Sequence, residues 1–177
     1  MHGLGNDFVV LDARTRTLPA IDAPVARALA DRRTGIGCDQ LILLETDDEA
    51  DARMRIYNAD GGEAEACGNA ARCVASLFGK EMTLATADRT ISLTPTETGA
   101  RVDMGRPKFA WNDIPLAHAL DTSSLPLAWE ELENPFAVNV GNPHVIFFVE
   151  DTDAVPLETV GAQIETDPLF PERVNVN

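Results

Sequence analysis

The sequence predicts a mixed α/β protein in which a related second unit follows the first. Its 177 residues amount to slightly more than one domain of about 150 residues. Short apolar runs of strand length alternate with stretches of helical periodicity. Gly5-Asn6 and Gly141-Asn142 each lead into an apolar strand, and this repeat indicates that one α/β unit has been duplicated.

The first unit begins with strands on either side of a short helix. Residues 8–11 form a β-branched and apolar run that is typical of a strand. Asp22 is an N-cap candidate, and apolar residues recur at helical spacing from there to about residue 33. Residues 40–44 are continuously apolar, as in a buried strand, and residues 54–58 alternate between apolar and polar.

The main helix of the first unit is predicted from Gly68 to about Gly79. Apolar residues recur at i, i+3, i+4 and i+7 and form one face, and a glycine followed by a lysine is a common helix end. The apolar face consists of Ala71, Val74, Ala75 and Phe78. Three short strands are predicted after the helix, at residues 82–86, 90–94 and 100–104.

The second unit is predicted to follow a connecting segment at residues 107–127, which is rich in proline and polar residues. Beyond it the sequence predicts two strands, a weaker helix and a strand-like stretch, at residues 136–140, 145–149, 153–164 and 173–177. We therefore expect one complete unit over residues 1–112 and an incomplete second unit over residues 113–177.

The charge distribution excludes a nucleic-acid interface. The formal net charge is −15, and residues 121–177 contain Arg173 as their single basic residue. A nucleic-acid or anionic-membrane surface needs a basic face, which this chain lacks. No apolar run is long enough to span a bilayer, and the first residues lack the basic and apolar regions of a secretory signal. These features predict a cytoplasmic protein.

The three cysteines, Cys38, Cys67 and Cys73, are expected to be reduced thiols. Cys67 and Cys73 enclose five residues, a spacing that suits neither a CxxC redox pair nor a zinc site. No metal site is predicted.

Cys67 is the strongest catalytic candidate because it lies where the main helix begins. The free N–H groups and the positive end of the helix dipole favour an anion there, including a thiolate. The N–H groups of Gly68 and Asn69 could also hold a carboxylate. The sequence alone equally allows Cys67 to be a packing residue at a strand–helix junction.

Other polar residues have ordinary structural interpretations when each is considered alone. Cys38 and Cys73 are expected to be structural thiols, and Arg72 is expected to form an ion pair. His144 precedes a buried strand, where a hydrogen-bonded structural histidine is more common than a catalytic one. Asparagine is common in turns and at strand ends, and each of four asparagines has this ordinary interpretation: Asn6, Asn58, Asn142 and Asn175.

Six motifs, in order along the chain, resemble the diaminopimelate epimerase family. Met1 to Phe8 resembles the family's N-terminal signature, and Asp31 to Gln40 its D-R-x-x-G-[IV]-G-x-D-Q turn. Ala66 to Cys73 resembles its C-G-N-G-A-R-C motif. The remaining three are similar to its N-A-D-G, G-N-P-H and F-P-E-R-x-N motifs, at Asn58 to Gly61, Gly141 to His144 and Phe170 to Asn175.

The resemblance implies an α+β fold of two pseudo-symmetric units, each with a central helix wrapped by mostly antiparallel strands. It implies a cofactor-independent epimerase that interconverts LL- and meso-2,6-diaminopimelate in the synthesis of lysine and peptidoglycan precursors. One thiol removes the α-proton from one face, and a second thiol returns a proton on the other. The family also suggests a homodimer, with a small molecule as the substrate and no cofactor.

The resemblance also implies roles for particular residues. Cys67 matches one catalytic thiol, and Gly68 and Asn69 match the groups that hold the reacting carboxylate. Asn6 matches a residue near the reacting carbon, and Gln40 and His144 match polar groups beside the site. The residues matched to the distal end of the substrate are Asn58, Asn142 and Asn175.

Two departures from the family pattern keep alternatives open. Ala70 replaces a glycine of the cysteine motif, which should be tolerated inside a helix. The second family motif, A-C-G-[TS]-G, is absent from this sequence, so the second catalytic cysteine is expected to be missing. The alternatives are another isomerase or racemase of the same fold, such as a proline racemase-like or phenazine-type enzyme, and a non-catalytic fragment that binds a diamino acid.

Overall fold

A computed structural model describes residues 1–177 as two compact units, Met1–Met104 and Gly105–Asn177. Residues 105–112 belong to the second of these. Within that unit, Lys108 pairs with Asn139 through an isolated β-bridge, and the ring of Phe109 packs edge-on against Phe136. None of the helices has the length and apolar character needed to cross a membrane.

The first unit is built on an eight-stranded mixed sheet. Its strands are β1 (His2–Gly3), β2 (Asn6–Asp12), β3 (Gln40–Glu45), β4 (Ala52–Asn58), β5 (Glu63–Ala64), β6 (Met82–Ala85), β7 (Thr90–Thr96) and β8 (Gly99–Asp103). They are arranged in the order β1-β2-β3-β4-β6-β7-β8, and β5 pairs with the end of β4. The pairs β2/β3 and β4/β6 are parallel and the others are antiparallel.

Two helices, α1 (Ala23–Ala30) and α2 (Gly68–Phe78), pack against different parts of this unit. The continuous apolar run of β3 reflects burial on both faces. Ile42 and Leu44 join the core that contains α2, whereas Leu41 and Leu43 join a smaller core that contains α1. The predicted buried strand is therefore confirmed, and alternate residues of it serve two separate cores.

Helix α2 has the predicted bounds and end. Its buried residues are Ala70, Ala71, Cys73, Val74 and Ala75. Gly79 adopts the left-handed conformation (φ 62°) and caps the helix by donating its N–H to Ala75.

Helix α1 is shorter than the sequence predicts, since it ends at Ala30 and not near residue 33. The Asp31 carboxylate accepts hydrogen bonds from the N–H groups of Arg33 and Thr34, which draws the chain into a turn. The N–H of Ile36 then donates to the carbonyl of Leu29, which satisfies a carbonyl at the helix end. Local side-chain hydrogen bonds therefore end the helix earlier than its apolar periodicity predicts.

The second unit contains a three-stranded sheet, a hairpin and one α-helix. The sheet has the order β11 (Phe136–Asn139), β12 (Pro143–Ile146) and β13 (Asn175–Val176), and the hairpin consists of β9 (Ala128–Trp129) and β10 (Leu132–Glu133). Helix α3 (Leu157–Glu165) packs Val160 and Ile164 into the core of this unit. Residues 107–127 lack regular structure, but Ile114, Leu116 and Leu125 anchor this segment to the same core.

Two predictions for the second unit were misplaced. The strand expected at 145–149 is β12 at Pro143–Ile146, because its partners in β11 and β13 end opposite Ile146 and Val145, and Phe148 is 88% exposed. The helix expected at 153–164 is divided into a 3-10 turn (Thr152–Ala154) and α3. Pro156 separates the two because proline lacks the N–H that a continuous helix would need.

Substitution of Gly35 tests how tightly the turn after α1 packs. A Cβ on Gly35 would lie 2.2 Å from the carbonyl oxygen of Ala28. We expect Gly35→Ala to lower the free energy of unfolding by about 1–3 kcal/mol, measured by urea denaturation, because the backbone must move to accept the methyl group. Gly99→Ala is the control, since its added Cβ would meet nothing within 4 Å. Equal stability of the two variants would contradict this packing.

Candidate active site

Cys67 is the N-cap residue of α2. Its backbone is extended (φ −148°, ψ 104°), and its Sγ accepts a hydrogen bond of 3.4 Å from the N–H of Ala70. The N–H of Ala71 donates to the Cys67 carbonyl. The N–H groups of Gly68 and Asn69 therefore have no partner within the protein, and they lie at the positive end of the helix dipole. The thiol is half-buried beside two donors that an anion could use.

The space in front of the helix end is open. A Cβ added to Gly68 would have no heavy atom within 4 Å. On another side, the hairpin of β1 and β2 crosses the first turn of the helix, where a Cβ added to Gly3 would lie 3.6 Å from the Cβ of Asn69. A ligand can therefore approach Gly68 closely while the hairpin covers the neighbouring turn.

Arg72 corrects a prediction from the sequence. The expected ion pair is absent, and the guanidinium instead donates a hydrogen bond to the side-chain oxygen of Asn69. This bond fixes the orientation of the Asn69 amide. The spacing of three residues on a helix is the sequence signal that could have indicated the contact.

Three predicted site residues meet at one edge of the sheet. Asn6 is the first residue of β2, Gln40 the first of β3 and Asn58 the last of β4. Because β2 and β3 are parallel and β4 is antiparallel to β3, these three positions share an edge. The side chain of Gln40 donates through Nε2 to Oδ1 of Asn58 over 2.9 Å.

Gln40 also carries an acceptor without a partner. Its Oε1 is buried and accepts no hydrogen bond within the protein. A buried acceptor in this state has a free-energy cost, and a ligand donor would remove that cost. The side-chain amide of Asn6 likewise makes no hydrogen bond within the protein.

The turn after Asn58 is held by α1. Gly61 donates its N–H to the Asn58 carbonyl, and Asn58 donates its own N–H to Gly62. Gly61 has φ +87°, and a Cβ there would lie 2.3 Å from the carbonyl oxygen of Ala23. Only glycine fits this contact. The first turn of α1 therefore holds the turn that follows Asn58, the last residue of β4.

Within the second unit, Asn142, His144 and Asn175 lie together. Asn175 pairs in parallel register with His144 and donates from its side chain to the Pro143 carbonyl over 2.9 Å. His144 Nε2 lies 3.0 Å from Asn142 Oδ1, and its Nδ1 lies 3.0 Å from Nδ2 of Asn177. Because an amide NH2 can only donate, Nδ1 accepts and Nε2 donates to Asn142. Burial lowers the pKa of His144, which favours this neutral form.

Cys38 and Cys73 lie outside these groups of residues. Both are buried, and burial raises the pKa of each thiol. Cys73 lies off the predicted apolar face of α2 but is covered by β1, and its thiol donates to the carbonyl of His2 over 3.4 Å. Both thiols are therefore packing groups in this structure.

Comparison with known proteins identifies the family. A family model described as diaminopimelate epimerase matches residues 1–110. The chain belongs to this family. It is 67% identical over 177 residues to a diaminopimelate epimerase of Erythrobacter litoralis and 60% identical to that of Sphingopyxis alaskensis. Each match covers the whole chain and 66% of the relative, so the chain spans about two thirds of the length of these relatives.

Two solved structures confirm the predicted fold class. A phenazine biosynthesis protein of the PhzF family from Bacillus anthracis matches with a TM-score of 0.55 and 20% identity, over 86% of this chain and 53% of that protein. A hydroxyproline epimerase from Agrobacterium vitis matches with a TM-score of 0.55 and 16% identity, over 93% and 52%. At such identities the matches show a shared fold alone.

The buried His144 predicts a pH dependence of stability. Its folded pKa lies below the ordinary value of 6.5, so the unfolded state binds more protons as the pH falls below about 6.5. His144 therefore contributes stability that is fully present above pH 6.5 and is lost as the pH falls through its folded pKa. Urea unfolding between pH 5 and pH 7.5 should show a shallower loss for His144→Gln than for the wild type, whereas the exposed His118→Gln should follow the wild type. If the unfolding free energy of His144→Gln fell with pH as steeply as that of the wild type, His144 would not be the source of the pH dependence.

Proposed function

We propose that the full-length protein interconverts LL- and meso-diaminopimelate without a cofactor, as a step in the synthesis of lysine and peptidoglycan precursors. Membership of the family supports this reaction. The observation that carries the proposal is the position of Cys67 at the open end of α2, beside the free N–H groups of Gly68 and Asn69. This arrangement offers a base and an anion site on adjacent residues.

In the proposed reaction, the substrate carboxylate binds to the N–H groups of Gly68 and Asn69. The Cys67 thiolate then removes the α-proton, so the C–H bond breaks, its electron pair stays on carbon and a thiol forms. Negative charge spreads into the carboxylate, where the helix end stabilises it. A second thiol donates its proton to the opposite face of the carbon and becomes a thiolate, which completes the inversion.

The second thiol is proposed to lie outside residues 1–177. Cys38 and Cys73 are unsuitable because both are buried away from a substrate, and the Cys73 thiol already donates to the His2 carbonyl. Burial also raises the pKa of each thiol, which disfavours the thiolate that proton abstraction in the reverse direction needs. About a third of the length of each relative lies outside its match to this chain. That part has room for the second cysteine motif of the family.

The amide side chains are proposed to orient the substrate. Asn6 would contact the substrate near the reacting carbon, and Asn58 would bind the distal amino-acid group. Gln40 Oε1, a buried acceptor without a partner, suits an ammonium donor. Asn142 and Asn175 are proposed as further substrate-binding residues, with His144 holding the Asn142 side chain. Such remote contacts position the reacting carbon.

Replacement of Cys67 tests the mechanism in the full-length protein. Cys67→Ala should lower the rate of inversion by about 10²–10⁴-fold, because the base is lost. The measurement is deuterium uptake from solvent at the α-carbon of LL-diaminopimelate, together with formation of the meso isomer. Cys73→Ala is the matched control on the same helix and should retain the rate.

Two outcomes would overturn parts of the proposal. Normal inversion by Cys67→Ala would remove Cys67 from the role of base. Substrate binding without deuterium uptake by the full-length wild type would indicate a binding protein and not an epimerase.

A further inference from the structure

An ion-pair cluster joins β2, β3 and the turn that follows α1. Arg32 Nη1 and Nη2 donate to Oδ2 and Oδ1 of Asp7 over 3.0 and 2.8 Å, and Nη2 also donates to Oδ1 of Asp39 over 2.8 Å. We name these three residues the Asp7–Arg32–Asp39 clamp. Each lies within a motif that identifies the family, yet the proposed reaction assigns none of them a role.

The two carboxylates of the clamp also bind the backbone of each other's strand. The N–H of Asp7 donates to Asp39 Oδ2 over 2.9 Å, and the N–H of Asp39 donates to Asp7 Oδ1 over 2.8 Å. The parallel pairing of β2 with β3 begins only at Phe8 and Gln40. The Asp39 N–H also donates to the Asp7 backbone carbonyl over 3.1 Å, so one backbone bond joins the strands at this residue and the clamp adds side-chain bonds beside it.

The two aspartates of the clamp are sequence neighbours of two proposed substrate-binding residues. Asp7 follows Asn6 and Asp39 precedes Gln40, which in turn binds Asn58. Asn6 comes directly after a turn in which Leu4 (φ 52°) and Gly5 (φ 92°) both have positive φ, and the Leu4 side chain is 88% exposed. On one side Asn6 pairs with Gly3 of the two-residue strand β1, and the clamp holds the next residue, Asp7.

Exposure of the clamp argues against a purely stabilising role. The side chains of Arg32, Asp7 and Asp39 are 56%, 41% and 43% exposed. Exposed ion pairs contribute little to global stability, although a bidentate arginine fixes geometry well. The Arg32 guanidinium and the Asp39 N–H hold the pKa of Asp7 well below its usual range, so the Asp7 carboxylate stays charged at neutral pH.

We infer that the Asp7–Arg32–Asp39 clamp is a positioning device that holds Asn6 and Gln40 at a fixed separation for substrate binding. This inference rests on the proposed function. Arg32 touches neither of the two site residues, and it acts through Asp7 and Asp39. Loss of the clamp should therefore weaken substrate binding while the helix end that carries Cys67 remains intact.

Arg32→Ala in the full-length protein tests the inference. We expect KM for LL-diaminopimelate to rise about 10-fold with kcat changed less than about 3-fold, the pattern of lost binding and not of lost chemistry. Arg33→Ala removes an equal charge from the same turn and should leave both constants unchanged. Arg32→Lys keeps the charge but loses the fork that binds two carboxylates, so its KM should be intermediate.

Other results would overturn the clamp. A merely structural role would lower kcat through a smaller folded fraction and leave KM unchanged. A KM for Arg32→Ala equal to that of Arg33→Ala would also contradict the inference. A double variant that combines Arg32→Ala with Asp7→Asn tests whether the two residues act together. Asparagine keeps the side-chain oxygen that accepts from the Asp39 N–H, so KM of the double variant should rise no further than that of Arg32→Ala. Additive increases in KM would show that the two residues act separately and would contradict the inference.

Amide hydrogen exchange separates failure of the clamp from failure of the proposed function. Absence of epimerisation by the wild type would overturn the proposed function. Hydrogen exchange would still test whether the clamp holds the two strands together, because this measurement does not depend on activity. Arg32→Ala should speed exchange at the N–H of Asp7, which donates to the Asp39 carboxylate, but not at Ala70 and Ala71 of α2. A smaller increase is expected at Asp39, because its N–H also donates to the Asp7 backbone carbonyl. Unchanged exchange at Asp7 would overturn the inference.

Discussion

The close packing of α2 against its sheet is the constraint on which the proposed site depends. Ala70, Ala71 and Ala75 are completely buried, and their small side chains allow the helix to lie close to the strands. Gly3 crosses the first turn near Asn69. The start of the helix is therefore fixed at Cys67, and the N–H groups of Gly68 and Asn69 remain without a partner within the protein.

The direction of the strands then collects polar side chains at one edge of the sheet. Asn6 and Gln40 begin parallel strands and Asn58 ends an antiparallel one, so residues that are far apart in sequence become neighbours. The second unit repeats the principle on a smaller sheet, where Asn142 directly precedes β12 and Asn175 begins the parallel β13. Gly5 and Gly141 both have positive φ, which gives the two Gly-Asn turns a common backbone feature.

The proposed binding site depends on local groups and not on the chain's net charge of −15. An acidic chain repels anions at long range, but unpaired N–H groups at a helix end attract a carboxylate at short range. The remaining site candidates are mainly amides, which donate and accept hydrogen bonds and carry no charge. Such groups suit a substrate that carries both ammonium and carboxylate groups.

The sequence by itself determined the main helix and the longer strands of the first unit, the N-cap position of Cys67 and the family to which the motifs belong. It missed the two-residue strands β1, β5, β9 and β10, which are too short to show a periodicity. Periodicity and capping residues act over a few residues, so they located α2 and the buried β3 correctly. The early end of α1 depended on bonds from the Asp31 side chain, the division before α3 on Pro156, and the burial of Cys73 on the covering strand β1, none of which apolar periodicity records. Only the tertiary structure decided the partners of Gln40 and Arg32, because their contacts join residues 18 and 25 positions apart, which the fold alone brings together.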